Sequence, residues 1–94
     1  CSALVQKFYK TVRNVDIPRT CFYQFKHMVH VMRNELMPGD AIFFNSKRSP
    51  SGWHVGIYLG NDEFLHAANF RDGVKISCLE DDMYNRLYKG ACRF

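Results

Sequence analysis

The stretch Trp53-His54-Val55-Gly56-Ile57-Tyr58-Leu59-Gly60-Asn61-Asp62-Glu63-Phe64-Leu65-His66-Ala67 decides the fold. Val55, Ile57 and Leu59 alternate with His54, Gly56 and Tyr58, the period-two pattern of a strand whose two faces differ. Gly60, Asn61 and Asp62 tolerate positive φ and suit a hairpin loop. Residues 64–67 then read as the returning strand. Antiparallel pairing lays the start of the first strand beside the end of the second. The hairpin should therefore bring His54 and His66 close together, on one face if the register allows. The plain alternative is two unrelated histidines on a half-buried sheet.

Outward from the hairpin, the chain reads as helices first and strands after. Residues 1–13 form a helix in which Leu4, Val5, Phe8 and Val12 recur at helical spacing opposite Lys7, Lys10 and Arg13. Residues 14–19 are a break containing Pro18. Thr20 is the N-cap of a second helix running to about Val29, with Phe22, Phe25 and Val29 as its apolar stripe and Gln24 and Lys26 outward. Leu36-Met37-Pro38-Gly39-Asp40 is turn chemistry. Ala41-Ile42-Phe43-Phe44 is a short buried strand, and residues 45–52 are an exposed polar loop. Beyond the hairpin come a turn at 69–73, a strand over 74–77, a helical turn within 80–87 and a closing edge strand over 88–93. Two helices followed by a mostly antiparallel sheet make one α+β domain over 1–94.

Nearly half of the 94 residues are apolar, which excludes a disordered chain. No apolar run approaches the ~20 residues that span a bilayer, and no signal peptide is visible. A net charge of +4 and a pI of about 9.0 favour anionic partners. The basic residues are dispersed rather than blocked, so a mixed solvated surface is expected and not a nucleic-acid footprint. The four cysteines, at 1, 21, 78 and 92, contain no CxxC pair, which argues against a zinc ribbon or a thioredoxin motif.

Cys1 is the strongest chemical signal. A thiolate is the nucleophile, and a helix N-terminus stabilises an anion, so a thiol there should be acidified. A cysteine nucleophile needs a base, and the base needs an orienting partner. His54 and His66 supply two imidazoles from adjoining strands. Packing the first helix against the sheet would complete a Cys-His-His constellation.

These pieces resemble the NlpC-type cell-wall cysteine peptidases. The resemblance rests on Cys1-Ser2-Ala3-Leu4-Val5-Gln6, Pro18-Arg19-Thr20 with Gln24, Leu36-Met37-Pro38-Gly39-Asp40 with Phe43-Phe44, His54-Val55-Gly56-Ile57-Tyr58-Leu59-Gly60 and Phe64-Leu65-His66-Ala67, all in order. It implies a papain-like α+β fold, with Cys1 as nucleophile, His54 as general base and His66 as its orienting residue. It implies hydrolysis of peptidoglycan stem peptides between D-γ-glutamyl and a diamino acid, in the bacterial cell envelope; a monomer is expected. The first helical turn, Ser2 included, would hold the oxyanion, and Trp53 would either join the core or line the cleft. Neither metal nor organic cofactor is called for.

Ala3 and Met28 stand where the family usually has Gly. The family's upstream segment, with a tyrosine lining the active site, is not in this sequence, so an N-terminal truncation is expected. Two other readings compete. One is a non-catalytic cell-wall binding module of the same fold. The other is an N-terminal-nucleophile amidohydrolase using the α-amino group of Cys1 as base, which leaves the histidine pair unexplained. Cys21, Cys78 and Cys92 read as structural. His27 and His30, with Cys21, offer a weak metal set lacking a fourth ligand. Lys47 and Arg48 are surface charges that could bind substrate carboxylates.

Overall fold

The computed structural model describes residues 2–27, 29–47, 52–69 and 73–93. Helix α1 (Ser2–Arg13) and helix α2 (Cys21–His27) come first, followed by strand β1 (Val29–Val31) and a 3₁₀ turn over Arg33–Glu35. Then come β2 (Ala41–Asn45), β3 (Trp53–Gly60), β4 (Glu63–Asn69), β5 (Gly73–Cys78), α3 (Asp82–Leu87) and β6 (Tyr88–Arg93). The strands form one antiparallel sheet in the order β1-β6-β2-β3-β4-β5.

The central strand β2 buries both its faces, which is why Ala41-Ile42-Phe43-Phe44 is uniformly apolar. Ala41 and Phe43 join Val55, Ile57 and Cys92 under the two N-terminal helices, which contribute Val5, Tyr9 and Cys21. Ile42 and Phe44 face the other way, against Tyr58, Phe64 and Leu79, where Tyr84 and Leu87 of α3 pack on them. The sheet is thus covered on one face by α1 and α2 and on the other by the short α3.

Turn chemistry sets the hairpin. Asn61 and Asp62 have φ of 52° and 62°, and the Tyr58 hydroxyl accepts the Asp62 amide at 3.1 Å. At the start of β2, Asp40 is 2 % exposed. Its carboxylate accepts both the Met37 amide at 2.9 Å and a bidentate pair of 2.8 Å bonds from Arg93. That pair ties the turn before β2 to the end of β6.

Four expectations need correction. Helix α2 stops at His27, and Val29 lies on β1, 73 % exposed, rather than in an apolar helical stripe. Gln24 is fully buried, not outward, because its side-chain amide donates to the Pro18 carbonyl at 2.8 Å. Val12 is 62 % exposed, since residues 10–16 are solvent-facing all round, and Tyr9 takes its place in the core. Strand β6 is internal, between β1 and β2, so the sheet's edges are β1 and β5. Thr20 does cap α2, accepting the Tyr23 amide, and Asp81 caps α3 through Met83.

Candidate active site

The hairpin brings its two histidines together. His54 Nε2 and His66 Nδ1 lie 2.8 Å apart, twelve residues distant in sequence. Gly56, on the same face of β3 as His54, makes room for this. A Cβ at Gly56 would stand 2.8 Å from Phe64 Cδ2, 2.9 Å from the Leu65 carbonyl and 3.2 Å from His66 Cβ. The missing side chain lets β4 press close and His54 reach His66 above it.

His66 is 1 % exposed and continues the chain of contacts, its Nε2 lying 2.7 Å from Ser77 Oγ on β5. Phe64 and Tyr84 pack their rings against it. Burial pushes the His54 pKa down to about 4. His66 is likewise lowered to about 4, first by burial and then by the charges of His54 and Lys75. Both imidazoles are therefore neutral at neutral pH, each with one N–H. With Nε2 of His54 engaged by His66, Nδ1 is the nitrogen left to exchange a proton with a reacting group.

Cys1 lies outside the described residues, as do Met28 and Arg48. Ser2 is the first residue of α1, whose helix packs on β3, the strand that carries His54. Trp53 is half-buried and sits against the core beneath α2, with Phe25 and Phe43 at ring distances of 5.4 and 6.1 Å. Lys89 Nζ stands 3.7 Å from the Trp53 ring centre, a cation–π contact that caps its outer side.

Ser77 and Tyr84 escaped the sequence reading. On β5, Val74, Lys75 and Ile76 are all exposed, so no alternation singles out the serine. Of the remaining cysteines, Cys21 and Cys92 are buried and unbridged, and burial raises the Cys92 thiol to about 12. Cys78 is free and exposed, contrary to a structural role. Of the weak metal set, His30 lies on β1, stacked on Phe25 with its Nε2 2.8 Å from the Phe25 carbonyl, and the His27 side chain lies outside the described residues. No group of three metal-binding side chains occurs among the described residues. No helix among them is long and apolar enough to cross a membrane.

Helices leading onto an antiparallel sheet, with a hydrogen-bonded histidine pair on its central hairpin, define a papain-like α+β domain. The family model described as "NlpC/P60 family" matches residues 1–93, and the chain belongs to that family. It is 38 % identical over 88 residues to a probable endopeptidase of Haemophilus influenzae, covering 94 % of this chain and 54 % of that protein. It is 35 % identical over 95 residues to the murein DD-endopeptidase MepH of Escherichia coli, covering 99 % of this chain and 35 % of that protein. A crystal structure of an NlpC/P60 family protein from Bacillus cereus superimposes with a TM-score of 0.87 at 30 % identity, covering all of this chain and 31 % of that one. The chain thus spans about half the length, or less, of the curated relatives it matches.

Proposed function

We propose that residues 1–94 are a cysteine peptidase domain that hydrolyses amide bonds in peptidoglycan stem peptides, acting as a monomer in the bacterial cell envelope. The observation that carries the reading is the 2.8 Å contact between His54 Nε2 and His66 Nδ1. It is the orientation a general base requires, with Nδ1 left for a nucleophile. Cys1, directly before α1, is that nucleophile. A relative named as a murein DD-endopeptidase supports the substrate class.

Neutral His54 takes the Cys1 thiol proton on Nδ1, and the thiolate attacks the scissile carbonyl. Amides of the first turn of α1, Ser2's included, hold the oxyanion. His54 then returns the proton to the leaving amine as the C–N bond breaks, giving a thioester. It next draws a proton from water, whose oxygen attacks the thioester; the C–S bond breaks, His54 returns that proton to the Cys1 sulfur, and the product carboxyl ionises. His66 accepts from the His54 Nε2–H throughout and, once His54 is an imidazolium, stabilises its charge.

The family resemblance favours cleavage between D-γ-glutamyl and a diamino acid, whereas the MepH name marks a DD bond as the other choice. The masses of fragments released from peptidoglycan distinguish the two. Cys1→Ser should stay folded and bind but not cleave. At about pH 6, where an ordinary thiol of pKa ~8.5 is almost all protonated, limiting iodoacetamide should label Cys1 ahead of the exposed Cys78. Preferential labelling of Cys78, or a serine variant as fast as the parent, defeats the assignment.

A further inference from the structure

Beside His54, on the sheet face that α3 covers, lies a cavity of about 660 Å³. Its apolar wall is Phe44, Tyr84 and Leu87, all from the second core cluster, and His54 itself forms part of its lining. Two cations line it: Lys47, just past the end of β2, and Arg86, in the last turn of α3. Both are exposed, and neither is in an ion pair among the described residues. The carboxylates of Asp81 and Asp82, on the same short helix, are not part of the lining. A concave site with an apolar wall, two cations and, among the described residues, no acid in its lining attracts an anion attached to a compact, partly apolar body.

We infer that this cavity is a carboxylate-recognising subsite, in which Arg86 and Lys47 hold a free carboxylate of the peptide whose amide bond lies at His54. This rests on the peptidase reading and names what that peptide must carry. The guanidinium presents a planar fork that matches a carboxylate, and Lys47 adds a second, point-like positive charge. A carboxamide at the same place has no charge and turns two N–H donors toward groups that are themselves only donors. The domain should therefore discriminate a stem peptide with free carboxylates from the same peptide amidated, a choice made by this chain's own residues beside the reacting bond.

The test uses the Cys1→Ser chain, which binds without turnover, and two synthetic stem tripeptides identical except that one has every carboxylate converted to carboxamide. Calorimetry should show the free-acid peptide binding at least about tenfold tighter, with its preference reduced in Arg86→Gln and lost in the Lys47→Gln/Arg86→Gln double variant. Both positions are exposed, so the variants should fold as the parent does. Equal affinity for the two peptides, or a preference that survives in the double variant, overturns the inference. Turnover by the parent is measured separately. A parent that cleaves both peptides equally well keeps the peptidase reading and removes the subsite. One that binds with the charge preference yet never cleaves keeps the subsite and removes the peptidase.

Discussion

His66 Nε2 lies 2.7 Å from Ser77 Oγ, so the ring that meets His54 on one side is held on the other by a hydroxyl from the neighbouring strand. The pair of contacts sets a direction. For His54 to take a proton on Nδ1, its Nε2 must carry hydrogen and donate to His66 Nδ1. Neutral His66 then has its own hydrogen on Nε2 and donates it to Ser77 Oγ. The reverse direction, with Ser77 donating, would leave hydrogen on His54 Nδ1 and no base. On the proposed mechanism, Ser77 is thus a positioning residue acting through His66.

Ser77→Ala should lower kcat about tenfold, the upper scale of one lost hydrogen bond between neutral groups, here the bond that orients His66, with KM little moved. Ser77→Thr keeps the hydroxyl and suits a strand, so it should recover most of the rate. Nitrogen shifts of the His66 ring report its tautomer directly. An alanine variant with the parent's tautomer and the parent's kcat would remove Ser77 from the relay.

The histidine pair also makes stability depend on pH. Both pKa values are about 4 in the fold, against about 6.5 in an unfolded chain. Between those values the unfolded chain binds more protons, so stability rises with pH and is full above about 6.5. On acidification from about pH 6.5 to 4 the fold should lose a few kcal/mol through this pair. Urea midpoints across that range should fall more steeply for the parent than for His66→Gln, which no longer titrates there. Parallel curves would mean that the imidazoles are not held neutral by the fold.

Much of this was legible in the sequence because the informative signals were local. The alternation from Val55 to Leu59, the Gly60-Asn61-Asp62 loop and the apolar run 41–44 each predict a strand or turn from neighbouring residues alone, and each is where expected. The place of β6 is not a local property. Its partners β1 and β2 come from far upstream, and nothing in residues 88–93 says that both sides will be paired. Gln24 is buried because a carbonyl freed by the break at Pro18 happens to meet its amide. Tyr9 is buried because its hydroxyl reaches the Gly39 carbonyl, a partner in a turn thirty residues on. Polar atoms like these read as surface until the tertiary partner is known. The same blindness hid Ser77, whereas the histidine pair was visible because the hairpin that joins them is continuous in sequence.

The tie between Asp40 and Arg93 should matter more to stability than to chemistry. Arg93→Met leaves a carboxylate that is 2 % exposed with the Met37 amide but no counter-charge. Removing Arg93 strands that buried carboxylate, although the Arg93 side chain is itself 38 % exposed and water can fill part of its place, so the variant should unfold at clearly lower urea than the parent. Arg93→Lys restores charge without the two-pronged fit and should fall between. Urea unfolding measures both, and a methionine variant within ~0.5 kcal/mol of the parent would show that water replaces the guanidinium freely.

Gly56 carries the most direct link between local sequence and the site. An alanine methyl there would meet the Leu65 carbonyl at 2.9 Å and His66 Cβ at 3.2 Å, atoms of the backbone or fixed to it, as well as Phe64 Cδ2 at 2.8 Å. None of the first two can swing aside, so β4 itself must move, and the His54–His66 bond must lengthen with it. Overpacking of this kind costs ~1–3 kcal/mol. Gly90→Ala provides the control, because its added methyl would meet the Phe25 ring, at 2.9 Å, and neither His54 nor His66. Both variants should melt below the parent, but only Gly56→Ala should change the nitrogen shifts of the imidazole pair and reduce turnover beyond its effect on the folded fraction. If Gly56→Ala does not fold well enough to assay at room temperature, the same variant at low temperature poses the same steric question. A Gly56→Ala chain with parental melting and an undisturbed histidine bond would mean that the hairpin can widen without cost, and that the glycine is not what holds the two imidazoles at bonding distance.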